Sequence, residues 1–558
     1  MHKNLLDMKK TFFSCSLDGE SAFEVVNRNI QKRELFISGV DGEAWIASNY
    51  SYKNSKTRIK MNGQLSGEIK EDLGNKQGHI FSSDHYKVYN GPCLETLENS
   101  NLGVWILHSP FSAVADDVLI YTDCPHRLQI LIDIAEFYGF KYRVKYGASK
   151  TKITVSGPKI DIEYYTSVKP WKMSSEVIDV VENNDHLGQI ISGLNQEQKN
   201  VDHRISKARN ALYALLGPCF SLKCNLNPSL KLHIFRTFIC PVLRSGLSTF
   251  VISDSLMESI NLFQRKTLKG MLHVSKTCPN PAVLFILNEL PLEAKIHRDI
   301  FSLFYSVWRN KNSKLFQLIF QILKSSSEKS KTWSNYLRKI CIQYGINDPF
   351  TLLKKTPPPK HVFKTDIETR ITSFHERELR EKASNIRRMK YFNITVIGLS
   401  GKGHPAILNL YSSNDVKRSR YHLKMLMGDF YSFGVQNMHS GSNPFCKLCH
   451  KEDSNENKKV ENTCHILASC TALLDIRTKY YQYYNQKLSD SYMNFDSIFS
   501  NEESACQFVL DPTSMNLESR INFTDPLATE LFNISRNFCY DMCTRRLELL
   551  GCRRYNKQ

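Results

Sequence analysis

Apolar residues follow two different periods along this chain, and each period predicts a different kind of element. Short apolar or alternating runs indicate strands at residues 12–17 and in the stretch 111–121. Around the second stretch we predict strands at residues 104–107 and 118–121. A hairpin would join them, and its turn would carry two adjacent acidic residues.

A helical period follows this hairpin. Pro125 suits the first turn of a helix, and Gly139 suits its end. Between them, apolar residues recur every three or four positions and predict a buried face made of Leu128, Leu131, Ile132, Ala135 and Tyr138. A further strand ends at Val155. The order strand, hairpin, helix, strand predicts an α+β domain with an antiparallel sheet and helices on one face.

The chain from residue 201 to about residue 310 has the pattern of consecutive helices. The segment 260–272 places apolar side chains on one face, namely Ile260, Phe263, Thr267 and Met271. Basic side chains lie on the opposite face, namely Arg265, Lys266 and Lys269. Such a helix either grips a polyanion or is an ordinary amphipathic surface helix. The basic, proline-rich stretch 354–360 predicts a linker between domains.

The two adjacent acids of the hairpin are Asp116 and Asp117, and they stand inside an apolar run. Neighbouring carboxylates repel each other and resist desolvation, so a compensating cation is one explanation for their position. An acidic surface turn is the alternative. Asp18 follows the strand at residues 12–17 directly, and a shared sheet would bring it to the same place. Three acids could then hold two cations.

The charge of the chain is unevenly distributed. Residues 196–440 carry a net charge of +22, more than the +19 of the whole chain, because residues 1–195 and 441–558 carry −2 and −1. A basic block of this size indicates a polyanionic partner such as nucleic acid, and a solvated basic face is the alternative. The hydrophobic content of 41% excludes global disorder.

The cysteines indicate the compartment. The chain has 16 cysteines and no apolar signal-peptide segment at its start, so we expect reduced thiols and an intracellular protein of the nucleus or cytoplasm. No apolar run is long enough to predict a membrane span.

A second set of candidate ligands has the spacing of a zinc site. A Cys-x₂-Cys pair is followed at a distance by a histidine and a cysteine, and the four residues are Cys446, Cys449, His465 and Cys470. Cys464 or His450 could replace one of them. Four protein ligands would make a structural zinc site that does not catalyse.

Five short motifs, taken in order, resemble motifs A to E of the reverse transcriptases of non-LTR (LINE-type) retrotransposons. They are Leu17-Asp18 with Ala22-Phe23-Glu24, Gln77-Gly78 with Ser82, Ala115-Asp116-Asp117, Ser149-Lys150-Thr151-Lys152, and His186-Leu187-Gly188. The resemblance covers residues 10–195, the polymerase palm, and more loosely residues 196–330, the thumb. It implies an RNA-directed DNA polymerase, a nucleotidyltransferase that uses an RNA template, a DNA primer and deoxynucleoside triphosphates.

The resemblance also implies roles for individual residues. Asp18, Asp116 and Asp117 would bind two Mg²⁺ ions. Phe23 would exclude the 2′-hydroxyl of a ribonucleotide, Gln77 and Gly78 would line the nucleotide pocket, and Lys150 would lie near the departing pyrophosphate. The cysteine-histidine set resembles the carboxy-terminal segment of the same proteins, where it helps to bind nucleic acid.

Three residues depart from the family pattern, namely Glu24, Ser83 and Val114, and none of them is a metal ligand. Only 17 residues precede Asp18. We therefore expect a truncated chain that lacks the fingers subdomain and the endonuclease and that polymerises poorly by itself. The predicted domains are a palm at 1–195, a thumb at 196–330, a basic helical connection at 331–440, a zinc segment at 441–475 and a helical tail at 476–558.

Two other functions remain open at this stage. A non-catalytic, nucleic-acid-binding remnant of such an element would explain the basic block without a working polymerase site. A two-metal nuclease would explain the acids, although it would leave the Phe23 and Gln77-Gly78 motifs without a role.

Overall fold

The computed structural model describes residues 10–20, 22–76, 78–104, 109–220, 224–325, 330–392, 403–408, 410–432, 441, 443–449, 459–489, 494–514 and 526–551. The fold is mixed α and β and mainly helical, with one small central sheet. The chain divides into two compact units. The first comprises residues 1–200, 306–341 and 347–357, and the second comprises 201–305, 342–346 and 358–558.

The first unit contains the described strands. In chain order they are β1 (Phe12–Leu17), β2 (Gly19–Glu20), β3 (Lys56–Thr57), β4 (Lys60–Met61), β5 (Gln64–Leu65), β6 (Ile69–Lys70), β7 (Phe111–Val114), β8 (Asp117–Thr122), β9 (Lys145–Tyr146), β10 (Lys152–Ser156), β11 (Lys172–Met173), β12 (Glu176–Val177), β13 (Asp179–Val180), β14 (Asn183–His186) and β15 (Gln189–Ser192).

Five of these strands form the central sheet in the order β13-β10-β1-β8-β7. β1 lies in the middle and pairs antiparallel with both β8 and β10. The sequence predicted an antiparallel sheet. The edge strand β13, however, runs parallel to β10, so the sheet is mixed. Because β1 is bonded along both edges, its register fixes the positions of its neighbours.

The hairpin that carries the acids begins later in the chain than we predicted. Its first strand is β7, whereas Val104 lies outside any strand and residues 105–107 lie outside the described residues. Pro110 accepts a hydrogen bond from the backbone of Tyr121, which continues the pairing toward β7. The turn itself is Ala115-Asp116, and Asp117 is already the first residue of β8.

Helices cover one face of the sheet. The helices of the first 200 residues are α1 (Arg28–Ile37), α2 (Gly42–Tyr52), α3 (Ser82–Asn99), α4 (Pro125–Tyr142) and α5 (Lys159–Val168). Phe13, Cys15 and Leu17 of β1 alternate into the core that these helices bury. The predicted apolar face of α4 is confirmed, since four of its five members are fully buried and Tyr138 is partly buried. The helix ends at Tyr142 and not at Gly139.

The remaining helices continue the numbering. They are α6 (Gln196–Leu216), α7 (Pro228–Ile234), α8 (Cys240–Arg244), α9 (Asp254–Leu272), α10 (Asn280–Leu287), α11 (Leu292–Arg309), α12 (Lys314–Ser325), α13 (Trp333–Gln343), α14 (Pro349–Leu353), α15 (Lys360–Ser384), α16 (Ser413–Leu426), α17 (Leu474–Leu488), α18 (Phe495–Phe499), α19 (Glu502–Leu510) and α20 (Pro526–Leu549). None of the described helices is long and apolar enough to cross a membrane.

The amphipathic helix predicted at residues 260–272 is the second half of α9. Its apolar face is buried as predicted. Its basic face is less open than the sequence suggested, because Arg265 pairs with Glu258 and Lys269 donates to the backbone carbonyl of Lys276. Lys266 is the exposed member of the three.

The clustered tyrosines near residue 480 pack within the second unit. Tyr480 donates to Asp541, and the hydroxyl of the fully buried Tyr484 bonds to Ser535. Cys539 and Cys543 are also buried. Both observations agree with a packing role for the last helices.

We expect Gly74→Ala to destabilise the protein more than Gly63→Ala does. Both glycines have a positive φ, +82° and +83°, so alanine is strained at either position. At Gly74 a Cβ would also lie 2.8 Å from the carbonyl oxygen of Glu24, whereas nothing lies within 4 Å at Gly63. We expect about 1 kcal/mol for Gly63→Ala and about 1–3 kcal/mol more for Gly74→Ala. Urea unfolding of both variants measures the difference, and equal losses would contradict the close approach.

Candidate functional site

The pairing of β1 with β8 places the predicted acids at one end of the sheet. Leu17 lies opposite Val118 in the register. Asp18 follows Leu17 directly and Asp117 precedes Val118 directly, so the two acids are the next residues of two adjacent strands. Asp116 occupies the turn beside them. The structure therefore brings together three acids from distant parts of the sequence, and the Asp18 and Asp117 side chains are exposed to solvent.

Electrostatic coupling shows that these carboxylates influence one another. The pKa of Asp116 is raised above its ordinary value, first by burial and then by the negative charges of Asp117, Asp18 and Glu24. Glu24 was not among the residues that sequence reasoning assigned to this site. Its position, six residues after Asp18 on the connection that leaves β1, is the signal that could have indicated it.

The acids are near one another without forming a tight ligand set. In the part of the chain that the structure describes, one group of three or more histidine, cysteine or acidic side chains has all its ligand atoms within 4.8 Å of one another, and that group is not the acidic one. The carboxylates thus form an open cluster at the surface, spaced more widely than a preformed metal cage.

Phe23 lies beside this cluster. The ring of Phe23 stacks on Tyr86 of α3, with centroids 4.6 Å apart and planes 20° apart. Tyr86 is 1% exposed, and its pKa is raised by burial and by the nearby charge of Asp116. Sequence reasoning missed Tyr86. Its buried ring lies under the Phe23 ring and next to the acid cluster.

Gly74 and Gly78, on either side of Gln77, have different surroundings. Gly74 allows a close approach to the backbone of Glu24. Gly78 is exposed, has a φ of +77° and leaves open space around its Cα. Gln77 lies outside the described residues.

Two further motif residues lie toward the same end of the sheet. Lys150 is exposed in the turn before β10, two residues from Lys152, which pairs with Ser16 of β1. His186 ends β14 beside the turn Leu187-Gly188, where both residues have a positive φ. Burial lowers the pKa of His186 while the charge of Asp117 opposes that shift, so the hairpin tip is near the acids.

The second candidate site is the compact group detected in the described residues: Cys446, Cys449, His465 and Cys470. The sulfur atoms of Cys446 and Cys470 are 3.9 Å apart, and Cys449 Sγ lies 3.4 Å from His465 Nε2. Zn–S bonds of about 2.3 Å in a tetrahedron separate two sulfurs by about 3.8 Å. These donors fit one metal ion such as zinc.

The local fold stabilises one thiolate at this cluster, that of Cys446, while burial and the Cys446 charge raise the pKa of Cys449. The hydrogen bond with Cys470 lowers the pKa of Cys446 to about 3, with help from His465 and from the backbone N–H groups of Leu448 and Cys449. The same bond raises the pKa of Cys470, so the two thiols share one proton. A bridge between Phe445 and Val460 closes the loop that presents the first cysteine pair.

A chain of hydrogen bonds orients the histidine ligand. His465 Nδ1 lies 3.3 Å from Ser469 Oγ, which leaves Nε2 to face the cluster. Ser469 bonds in turn to Glu502, and Lys459 pairs with Glu502 at 3.0 Å. Such outer partners fix the ring and the tautomer of a metal ligand.

The alternative ligands that the sequence left open are not part of this group. Cys464 points to the backbone carbonyl of Glu502 and contacts Cys506. His450 lies outside the described residues.

No protein-family model matches this chain, and no curated protein matches its sequence.

We expect Cys470→Ser to weaken zinc binding by at least about a hundredfold, because it removes one of four ligands. Cys278→Ser is the matched control, since Cys278 is also buried and lies outside the cluster. Zinc titration of the metal-free protein measures both affinities. An unchanged zinc affinity in Cys470→Ser would show that the ion binds elsewhere.

We expect Asp116→Asn to stabilise the protein at neutral pH. Because the pKa of Asp116 is raised in the folded state, ionisation of this group destabilises the fold as the pH rises through that raised value. The substitution removes this effect, and its advantage should vanish below the ordinary aspartate pKa of about 3.9, where both states are protonated. Urea unfolding at neutral pH and below the ordinary aspartate pKa measures the difference in stability between the variant and the unaltered protein. Asp133→Asn, at an exposed acid of α4, is the control, and an equal gain in both variants would contradict the coupling.

Proposed function

We propose that this chain is the RNA-directed DNA polymerase region of a LINE-type retroelement, transferring deoxynucleotides to a primer 3′-hydroxyl. The observation that carries the proposal is the register of β1 against β8, which puts Asp18 beside the Asp116-Asp117 hairpin. The motif resemblance requires these three acids to lie together. Burial of an apolar core does not require it.

The acidic cluster suits two Mg²⁺ ions, for which Asp18, Asp116 and Asp117 would be the protein ligands. Such ions activate the attacking hydroxyl and stabilise the leaving pyrophosphate. The chain's own contribution is to hold hard oxygen donors at an exposed sheet end, where a primer terminus and a triphosphate can reach them. Mutual repulsion among the carboxylates favours the binding of cations there.

The stacked pair of Phe23 and Tyr86 supports a selective nucleotide site. A ring held from below by a buried ring cannot rotate away without losing its stacking partner. Phe23 would therefore present a fixed surface against the sugar and exclude a 2′-hydroxyl. The exposed Lys150 at the same end of the sheet would serve the departing pyrophosphate.

We assign the cysteine-histidine cluster to one structural zinc ion. Four protein ligands fill a tetrahedral site and leave no open position for a substrate. The ion would hold the loop of the first cysteine pair against the turn that carries His465 and Cys470.

The basic block of residues 196–440 would bind template and primer through their phosphates. Lys266 is exposed on α9 and available to such a partner, while Arg265 already has an acidic partner. Nucleic-acid affinity should therefore depend on fewer basic side chains than the number of lysines and arginines in the block.

A second candidate function is nucleic-acid binding without synthesis. The wide spacing of the carboxylates, in contrast to the compact cysteine-histidine group, favours it. The two candidates differ in one measurable respect, which is incorporation of nucleotides.

We expect Asp116→Ala to reduce primer extension on an RNA template by at least about a thousandfold, because metal catalysis contributes several kcal/mol. Asp133→Asn should leave extension unchanged. Incorporation with Mg²⁺ and deoxynucleotides measures activity, and salt-dependent RNA binding is measured on the same samples. Extension that survives Asp116→Ala would exclude this site. Binding without any extension by the unaltered protein would establish the second candidate.

A further inference from the structure

A buried lysine in the second unit organises two cysteines that neither candidate function uses. Lys231 of α7 is fully buried, and its ammonium group lies 3.2 Å from the carbonyl oxygen of Cys219, 3.1 Å from that of Met271 and 3.2 Å from His273 Nε2. Three acceptors satisfy its three N–H donors. Lys231 therefore holds the backbone of Cys219 in place.

The backbone of the second cysteine is held by the same network. The ring of His273 bonds to the carbonyl oxygen of Cys224, and Arg420 donates to that oxygen at 2.5 Å and to Asn225 at 2.9 Å. The Cys219 and Cys224 side chains are themselves in hydrogen-bond contact, and both are half-buried. Two accessible thiols thus face each other on fixed backbones.

We propose that Cys219 and Cys224 form a redox-active pair that closes to a disulfide when the protein meets a peroxide. This inference is independent of the polymerase assignment. Reactive cysteines are partly exposed and lie near positive charge, and this pair has the ammonium of Lys231 and the guanidinium of Arg420 beside it. The ring of His273 contacts both Lys231 Nζ and the backbone of Cys224, so the same residue links the two ends of the pair.

The chemistry uses one peroxide molecule for each pair. The Cys224 sulfur, which interacts with both cations, first releases its proton and then attacks a peroxide oxygen. The S–O bond forms as the O–O bond breaks, Cys224 becomes a sulfenic acid, and the departing hydroxide takes up the released proton as the first water. Cys219 then attacks the Cys224 sulfur, an S–S bond forms, the S–O bond breaks and a second water leaves. The two thiols lose two electrons and two protons, and the peroxide accepts them.

Burial and the neighbouring Cys224 raise the pKa of Cys219, so Cys219 is a poor first nucleophile toward the peroxide. The disulfide would also fasten the turn Gly217–Phe220 next to α9. A Cβ at Gly270 of α9 would lie 2.6 Å from the ring of Phe220, so this turn is already packed closely on the helix. Oxidation would therefore make separation of this turn from α9 less favourable.

The test treats the full-length, zinc-loaded protein with limiting hydrogen peroxide, blocks the remaining thiols, and maps tryptic peptides by mass spectrometry. Lys223 separates the two cysteines in the sequence, so trypsin yields two peptides that only a disulfide can join. We expect the joined peptides to form at least about ten times faster than Cys124, a half-buried thiol of the first unit, is oxidised, and to separate on reduction.

Single variants assign the two roles. Cys219→Ser should leave a sulfenic acid on Cys224 that dimedone traps, and Cys224→Ser should slow oxidation of Cys219 to the rate of Cys124. Cys124→Ser is the matched control and should leave the joined peptides unchanged. Absence of joined peptides from the unaltered protein, or rapid oxidation of Cys219 in Cys224→Ser, would overturn the proposal.

Discussion

The strand register that buries the apolar face of the sheet also holds mutually repelling carboxylates together at the end of β1. Phe13, Cys15 and Leu17 must face the core, and a slip of one residue would turn all three to the other face. The same register fixes Asp18 next to Asp117. The fold therefore cannot relieve the repulsion by moving a strand, and burial of the apolar face stabilises an acidic cluster that would otherwise separate. Protonation of Asp116, whose pKa the neighbouring charges raise, reduces this repulsion, and a bound cation would do the same.

The two candidate ion sites of this chain differ in their donor atoms and in their exposure to solvent. The acidic cluster offers hard oxygen donors at an exposed sheet end, with Asp18 and Asp117 open to solvent. The cysteine-histidine cluster offers soft donors, mostly buried, with an ordered chain of outer partners from His465 to Glu502. An open oxygen site can exchange ions and admit substrate, whereas a closed sulfur site holds a fold. The difference is the one expected if the acidic cluster has the proposed catalytic role and the cysteine-histidine cluster the proposed structural one.

The sequence predicted β1, α4 and the grouping of Cys446, Cys449, His465 and Cys470 because each is a recognisable local pattern. It misplaced the first strand of the hairpin because residues 104–107 and β7 are both short apolar runs, and only pairing with β8 distinguishes them. It overestimated the basic face of α9 because the acidic partner of Arg265 and the carbonyl partner of Lys269 are set by the folded chain. Tyr86 was missed for the same reason, since nothing local relates it to Phe23.

One buried ion pair connects the loop of the cysteine-histidine cluster to the last helix, α20. Glu461, fully buried and one residue after the bridge at Val460, receives two hydrogen bonds from Arg546 of α20, at 2.6 and 3.1 Å. An isolated charge in such a place is strongly destabilising, by about 3–5 kcal/mol when one partner is removed. The loop of the first cysteine pair can therefore not leave the cluster without exposing or orphaning Arg546. A zinc ion bound at the cluster would therefore stabilise the packing of the last helix through Glu461, as well as the loop.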